Sequence, residues 1–272
     1  MSYSVKIHAR IGELIQGILP DGGDFLVSGL PSRTLYTEAT LDPKSAGSNL
    51  PAKAIKALSL LPQAANLPIR LTTNIPPGKG LSSSSTDVLS VFQLASDYLH
   101  LGLTITDLYR LAAQVEPTDP CLSDGIVVFR QRSGVVLAEI PLPPLSLIYF
   151  DTAPDRQIDT LTLGRHYPPG APAFFNELLH RFMQAAAEKD IPRLLGCITQ
   201  SAAYNQSILR LPGFDDYYRL AMAEGAGLTV AHSGTIAGWL TKPAAAESLR
   251  EKIDRIAKPA DIYTEHLTYT YA

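Results

Sequence analysis

The chain has 272 residues, with 23 basic and 26 acidic side chains and a formal net charge of −3. Hydrophobic residues make up 46% of the sequence and charged residues 18%, a composition that can bury a core. General nucleic-acid binding requires a dense basic patch, and the sequence contains no such Lys/Arg cluster. The two cysteines, Cys121 and Cys197, are too few for a disulfide framework and are interpreted as reduced thiols.

The N-terminal segment alternates polar and apolar residues and lacks the apolar core of a signal peptide. No run approaches the ~20 apolar residues that a membrane helix needs. We therefore expect a cytoplasmic protein whose partners are small molecules, without a nucleic-acid or membrane partner. The sequence contains no signal for the oligomeric state.

The first half of the chain is predicted to consist mostly of strands, at 3–11, 25–28, 33–41, 69–73, 126–129, 135–140 and 147–150. Helices are predicted at 52–61, 82–100 and 106–115, because apolar residues recur there at three- and four-residue spacing. The Pro-, Asp- and Gly-rich stretch 152–172 is predicted to be a domain boundary or a mobile loop.

Helices dominate after this stretch. An apolar stripe runs from Phe174 to Met183, and further helices are predicted at 191–208, 214–224 and 243–256. Strands are predicted at 227–231, 236–240 and 262–268. This order predicts an α+β fold with a cleft between an N-terminal part, residues 1–152, and a C-terminal part, residues 153–272.

The segment from Pro76 to Thr86 lies between a predicted strand and a predicted helix and reads Pro-Pro-Gly-Lys-Gly-Leu-Ser-Ser-Ser-Ser-Thr. Its glycines allow the backbone to approach a ligand, and its serines open the helix, where unpaired N–H groups favour a phosphate. Serine hydroxyls at that point can also ligate Mg²⁺. The alternative is a serine-rich N-cap without a ligand, which accounts for one or two serines but not for four. The spacing of the common P-loop is absent.

Glu116 and Asp119 occur in the sequence Glu-Pro-Thr-Asp, at the end of a predicted helix. Two carboxylates three residues apart can converge on one metal ion or one hydroxyl, and phosphoryl transfer needs such groups. The alternative is a solvated turn. Lys79 is expected either to contact a phosphate or to lie in solvent, and His232 is expected to be a structural histidine.

These segments resemble the GHMP kinases. Pro76, Gly80, Leu81, Ser83 and Ser84 fit the second motif of that family, P-x-x-x-G-L-G-S-S-A, with serines at its usual Gly and Ala positions. The Gly-Glu pair at 12–13 stands where the family has its first motif, and residues 227–235 resemble its third. The three motifs follow the family order over nearly the whole chain.

The resemblance implies an N-terminal ribosomal-S5-like part and a C-terminal ferredoxin-like part around an ATP cleft. It implies ATP and Mg²⁺ as cofactors, with the polyphosphate bound by Pro77, Gly78, Lys79, Gly80, Leu81, Ser82, Ser83, Ser84 and Ser85. Ser84 and Glu116 would bind Mg²⁺, and Asp119 would be the catalytic base, although some family members lack that base. The acceptor would be contacted by Glu13, Ser233 and Gly234.

Within the family, several segments are most similar in sequence to the L-threonine kinases of cobalamin synthesis. These segments are Gly-Glu-Leu-Ile-Gln-Gly, Glu-Pro-Thr-Asp and Ala-His-Ser-Gly-Thr. That similarity implies phosphorylation of the L-threonine hydroxyl, giving L-threonine O-3-phosphate for the aminopropanol linker of adenosylcobalamin. Two alternatives stay open. One is a GHMP kinase for homoserine, mevalonate or a sugar, and the other is a nucleotide-binding protein without kinase activity.

Overall fold

The computed structural model describes residues 3–43, 50–158, 167–257 and 261–267. Its strands are β1 (Ser4–Ile11), β2 (Ile15–Ile18), β3 (Asp24–Val27), β4 (Leu30–Leu41), β5 (Ile69–Thr73), β6 (Ile126–Arg130), β7 (Val135–Ile140), β8 (Leu145–Asp151), β9 (Gly227–Val230), β10 (Ile236–Thr241) and β11 (Tyr263–Leu267). Its α-helices are α1 (Ala52–Ser59), α2 (Ser83–Tyr98), α3 (Ile105–Val115), α4 (Ala171–Ala187), α5 (Ile191–Asn205), α6 (Phe214–Glu224) and α7 (Ala246–Asp254). The predicted α+β class is confirmed.

The strands form three antiparallel sheets, in the orders β1-β4-β5, β2-β3-β6-β7 and β11-β8-β10-β9. Strand β8 precedes residue 152, but both of its partners, β10 and β11, come from the C-terminal half. The third sheet is therefore assembled across the predicted boundary. The division into residues 1–152 and 153–272 stays a prediction.

Two segments differ from the sequence-based prediction. Residues 15–18 form β2, which pairs with β3, although four residues are too few to show a clear alternation. The helix predicted from residue 243 begins as a 3₁₀ turn, Pro243–Ala245, and becomes α-helical at Ala246. Of the predicted loop 152–172, residues 159–166 lie outside the described part of the chain. Within the described residues, no helix has the length and apolarity needed to cross a bilayer.

Helix α2 packs against the first sheet and between α1 and α3. Its residues Val88, Val91, Phe92 and Ala95 are fully buried, which confirms the apolar face that their spacing predicts. Because this face is held on the sheet, the N-terminal end of α2, with its serines, has a fixed position at the edge of the cleft.

One hydrophobic core connects the two halves of the chain. It contains Ile15 and Phe25 from the N-terminal half together with Phe175 and Phe182 from α4. The rings of Phe25 and Phe175 meet edge to face, with their centroids 6.4 Å apart. A Cβ atom at Gly17 would lie 2.3 Å from the Phe175 ring, so this position requires glycine. The shared core therefore sets how the two walls of the cleft face each other.

A buried polar contact joins α2 to the first sheet. The Thr37 hydroxyl on β4 lies 3.0 Å from the Thr86 hydroxyl and donates to the Asp87 carboxylate at 2.9 Å. Burial raises the pKa of Asp87 to about 6, and the hydrogen bond from Thr37 opposes this rise. Ionised Asp87 is therefore destabilising in the folded protein near neutral pH.

We predict that Asp87→Asn stabilises the protein at pH 7 relative to pH 4. A pKa raised in the folded state gives stability that is present at low pH and lost as the pH rises through about 6. The difference in unfolding free energy between variant and wild type should change by about 3 kcal/mol between these pH values. Urea unfolding at both pH values measures it, and an equal difference at both would contradict the prediction.

Candidate active site

A polar pocket opens at the N-terminal end of α2. It is lined by Glu13, Lys53, Gly78, Gly80, Leu81, Ser82, Ser83, Ser84, Ser85, Glu116, Pro117, Asp119, Gln131, Ile158, His232 and Ser233. These residues come from both halves of the chain and include parts of all three predicted motifs. Pro77, Lys79 and Gly234, which were also predicted as site residues, do not line the pocket.

The candidate phosphate loop, residues 76–82, packs directly against the third motif, residues 227–235, and their backbones are in contact. A Cβ atom at Gly234 would lie 2.1 Å from the Lys79 carbonyl oxygen, and one at Gly80 would lie 2.3 Å from the Ala231 Cβ. The Thr235 amide donates to that same Lys79 oxygen at 3.1 Å. Gly234 therefore supports the loop from behind and does not face the pocket.

Ser82 has a left-handed backbone, with φ 58° and ψ 22°. This backbone conformation costs a residue with a side chain roughly 1–2 kcal/mol. The cost explains why the second motif of the GHMP kinases, which this segment resembles, usually has glycine at this position. Its hydroxyl lies 3.4 Å from the Arg10 carbonyl oxygen. Ser82 occupies the N-cap position of α2, but its side chain makes no capping hydrogen bond, so capping does not explain this serine, as the alternative interpretation would require.

Glu116 is buried, with 6% of its surface exposed, and is therefore not part of a solvated turn. One of its carboxylate oxygens accepts a hydrogen bond from the Ser84 hydroxyl, and the other pairs with the Lys53 ammonium. Lys53 lies on α1, 63 residues before Glu116, and sequence reasoning missed it. No local pattern marked it, because its partner lies at the end of another helix.

Asp119 is surrounded by hydrogen-bond donors. Gln131, on the turn after β6, donates its side-chain amide to one carboxylate oxygen at 2.7 Å, and the Ser85 hydroxyl lies 3.4 Å from the other. Burial raises the pKa of Asp119, whereas hydrogen bonds from Ser82 and Gln131 lower it. Sequence reasoning also missed Gln131, since nothing in its local sequence marks it.

The geometry around Ser84 and Glu116 fits a magnesium ion. Both side chains present hard oxygen donors, and these donors touch each other across the pocket. No group of three or more His, Cys, Asp or Glu side chains within the described ranges is placed to hold a metal ion. Mg²⁺ is commonly bound by one or two protein oxygens together with substrate phosphates, so this pair is sufficient.

Glu13 connects the first and third motifs. Its carboxylate accepts a hydrogen bond from the His232 amide at 2.5 Å, and its carbonyl oxygen accepts one from the Thr229 hydroxyl at 2.6 Å. A single bridge also pairs Glu13 with Val230 at the end of β9. Glu13 and Ser233 therefore belong to two segments that are hydrogen-bonded to each other, and both residues line the pocket.

The side chain of Lys79 points away from the pocket. Its ammonium pairs with Asp151 at 2.7 Å, and only 9% of the side chain is exposed. It therefore neither lies in solvent nor points towards a phosphate in the pocket, which corrects both expectations for this residue. A local pattern could not show this, because Asp151 is far from Lys79 in sequence.

Residues 49–126 match the family described as "GHMP kinases N terminal domain". The L-threonine kinase of Salmonella typhimurium is 28% identical over 174 residues, which cover 62% of this chain and 58% of that protein, less than two thirds of its length.

Two solved structures share the fold. The homoserine kinase of Cytophaga hutchinsonii superposes with a TM-score of 0.67 at 19% identity, covering 97% of this chain and 94% of its own. A structure described as MDDEF in complex with MVAPP, AMPPCP and magnesium has a TM-score of 0.67 at 17% identity, covering 99% of this chain and 100% of its own. Residues 49–126 are thus similar to the N-terminal domain of the GHMP kinases, and the chain shares its fold with these two structures over nearly its whole length.

Proposed function

We propose that this protein is an ATP- and Mg²⁺-dependent kinase that phosphorylates the side-chain hydroxyl of L-threonine. The product, L-threonine O-3-phosphate, would serve the aminopropanol linker of adenosylcobalamin. The observation that carries the proposal is the meeting of Ser84, Glu116 and Asp119 at the mouth of the glycine- and serine-rich loop. Phosphoryl transfer depends mainly on positioning and charge neutralisation, and this arrangement provides both.

Each of these residues has a role in the proposed mechanism. The amides of the loop and of the first turn of α2 bind the polyphosphate. Ser84 and Glu116 would hold Mg²⁺, which when bound neutralises charge on the phosphates. Asp119 takes the proton of the acceptor hydroxyl as its oxygen bonds to the γ-phosphorus, and the bond from that phosphorus to the β–γ bridging oxygen breaks to release ADP.

Charge in the pocket supports an acceptor that carries an amino group. Glu13, Glu116 and Asp119 line the pocket together with Lys53, which pairs with Glu116. With Glu116 assigned to the metal and Asp119 to the proton, Glu13 is the carboxylate suited to an ammonium group. This favours a hydroxy amino acid over mevalonate or a neutral sugar, and the similarity to L-threonine kinase favours threonine over homoserine.

A coupled ADP-release assay with L-threonine, L-homoserine, mevalonate and galactose tests the choice of acceptor. We expect L-threonine to give the highest kcat/KM, and ³¹P NMR to show a phosphate monoester on its side chain. A reaction without acceptor corrects for ATP hydrolysis. A higher kcat/KM for homoserine would overturn the threonine assignment. If no acceptor released ADP while ATP still raised the melting temperature, the protein would be a nucleotide binder without kinase activity.

We predict that Ser84→Ala raises the Mg²⁺ concentration needed for half-maximal rate and lowers turnover ~10-fold or more, because one metal ligand is lost. The measurement is an Mg²⁺ titration at saturating ATP. Ser83→Ala is the matched control, since Ser83 lies in the same turn but has no contact with Glu116 among those observed. Wild-type Mg²⁺ dependence in Ser84→Ala would refute the metal role of Ser84.

Gln131→Leu tests Asp119 as the base. The hydrogen bond from Gln131 lowers the pKa of Asp119, so its loss should raise that pKa and protonate the carboxylate at a higher pH. The acid limb of the kcat/KM profile should then move up by about 1 pH unit, since a hydrogen bond to a charged group contributes about 1.5 kcal/mol.

The matching control is Asp119→Asn, which should remove this limb together with most of the activity. If Gln131→Leu kept the wild-type limb, Asp119 would not be the base.

A further inference from the structure

We infer that Lys79 is a positioning residue, which fastens the segment 151–158 to the phosphate loop and thereby raises the affinity of the loop for ATP. We call residues 151–158 the strap. The effect on ATP rests on the proposed function, whereas the fastening itself can be tested without it.

The ammonium of Lys79 is surrounded by oxygens of the strap. Besides the Asp151 carboxylate, it contacts the carbonyl oxygens of Ala153, Pro154 and Arg156, at 3.0, 2.6 and 2.7 Å. An ammonium has three protons to donate, so this one is fully used by a single short segment. The four oxygen contacts replace the hydration that an exposed lysine would have, and all of them come from the strap.

Backbone contacts place the strap directly on the loop. The Ile158 amide donates to the Gly78 carbonyl oxygen at 3.0 Å, and a Cβ atom at Gly78 would lie 2.9 Å from the Gln157 Cβ. At the other end, the Thr152 amide donates to the Thr235 carbonyl oxygen at 2.9 Å. The strap, the phosphate loop and the third motif therefore form one packed unit.

The strap also reaches the active site. Ile158 is part of the pocket lining, and so is its hydrogen-bond partner Gly78. Residues 152–158 form no helix or strand, so ladder hydrogen bonds do not hold them in place. The contacts of Lys79 are thus a large part of what keeps the strap, and with it this wall of the pocket, in position.

Replacing Lys79 by methionine keeps the aliphatic stem and removes the charge. Asp151 would keep its hydrogen bond from the Ala153 amide, and the Ala153 oxygen would keep the one from the Arg156 amide, but all four oxygens would lose the ammonium that joins them to the loop. A hydrogen bond to a charged donor contributes about 1.5–3 kcal/mol, so docking would be weaker. The strap would gain hydration by leaving the loop. If only a fraction of molecules keeps the docked arrangement, the apparent affinity for ATP falls to that fraction of its value in the fully docked protein.

Limited trypsin digestion tests the fastening. Arg156 is exposed, but its carbonyl oxygen accepts a hydrogen bond from Lys79, so trypsin can cut after it only when the strap detaches. We expect cleavage after Arg156 to be about 10-fold faster in Lys79→Met than in wild type, if the docked fraction falls from about nine tenths to about one tenth. Mass spectrometry of the fragments identifies the bond, and Arg156→Gln should abolish this cut.

Lys242→Met is the matched control, because it removes an exposed lysine far from the strap in sequence and should leave the cleavage rate unchanged. Asp151→Asn, which keeps the three carbonyl contacts, should give an intermediate rate. Equal cleavage of wild type and Lys79→Met would overturn the inference.

ATP kinetics test the consequence for the loop. In Lys79→Met we expect the KM for ATP to rise about 10-fold with kcat within about twofold of wild type, since saturating ATP restores the docked state. A purely structural defect would lower kcat through the active fraction and leave KM unchanged, and this result would overturn the inference. If wild type neither bound nor used ATP, the proposed function would fail, and trypsin would still decide the fastening.

A measurement on the unmodified protein covers the case in which Lys79→Met does not fold. Coupling is reciprocal, so a non-hydrolysable ATP analogue with Mg²⁺ should slow the cleavage after Arg156 in wild type. We expect slowing of about 10-fold at saturation, equal to the gain in affinity that docking provides. An unchanged rate with bound analogue would contradict the inference.

Discussion

The contact between two glycine-containing segments, backbone against backbone, is the constraint on which the site depends. Gly80 and Gly234 allow the loop and the third motif to approach more closely than any side chain would permit. Through this contact the C-terminal half holds the loop in front of α2, where unpaired amides favour an anion. The pocket therefore exists only when both halves are folded together.

Two of the pocket carboxylates have hydrogen-bond or ion-pair partners before any ligand arrives. The carboxylate of Glu116 is shared between Ser84 and Lys53, and that of Asp119 is held by Gln131 and hydroxyl groups. A buried carboxylate without such partners would be costly. These partners also orient the oxygens, so that the two groups keep a fixed geometry for metal and proton chemistry in the proposed mechanism.

Positions behind the pocket matter as much as those that line it. The core shared by β2, β3 and α4 fixes the orientation of the halves, and Gly17 makes room there for Phe175. Lys79 serves the loop from behind, through Asp151 and the strap. This site thus depends on contacts that a list of lining residues leaves out.

The sequence by itself determined the α+β class and most helix and strand positions, because hydrophobic periodicity is a local property. It also marked Ser84, Glu116 and Asp119, which belong to short motifs. Only the tertiary structure decided the strand pairing, the place of β2 and the partners of the carboxylates. Lys53 and Gln131 come from other elements, and the direction of Lys79 depends on a distant aspartate. Such contacts arise from packing between segments far apart in the chain, and no local pattern encodes them.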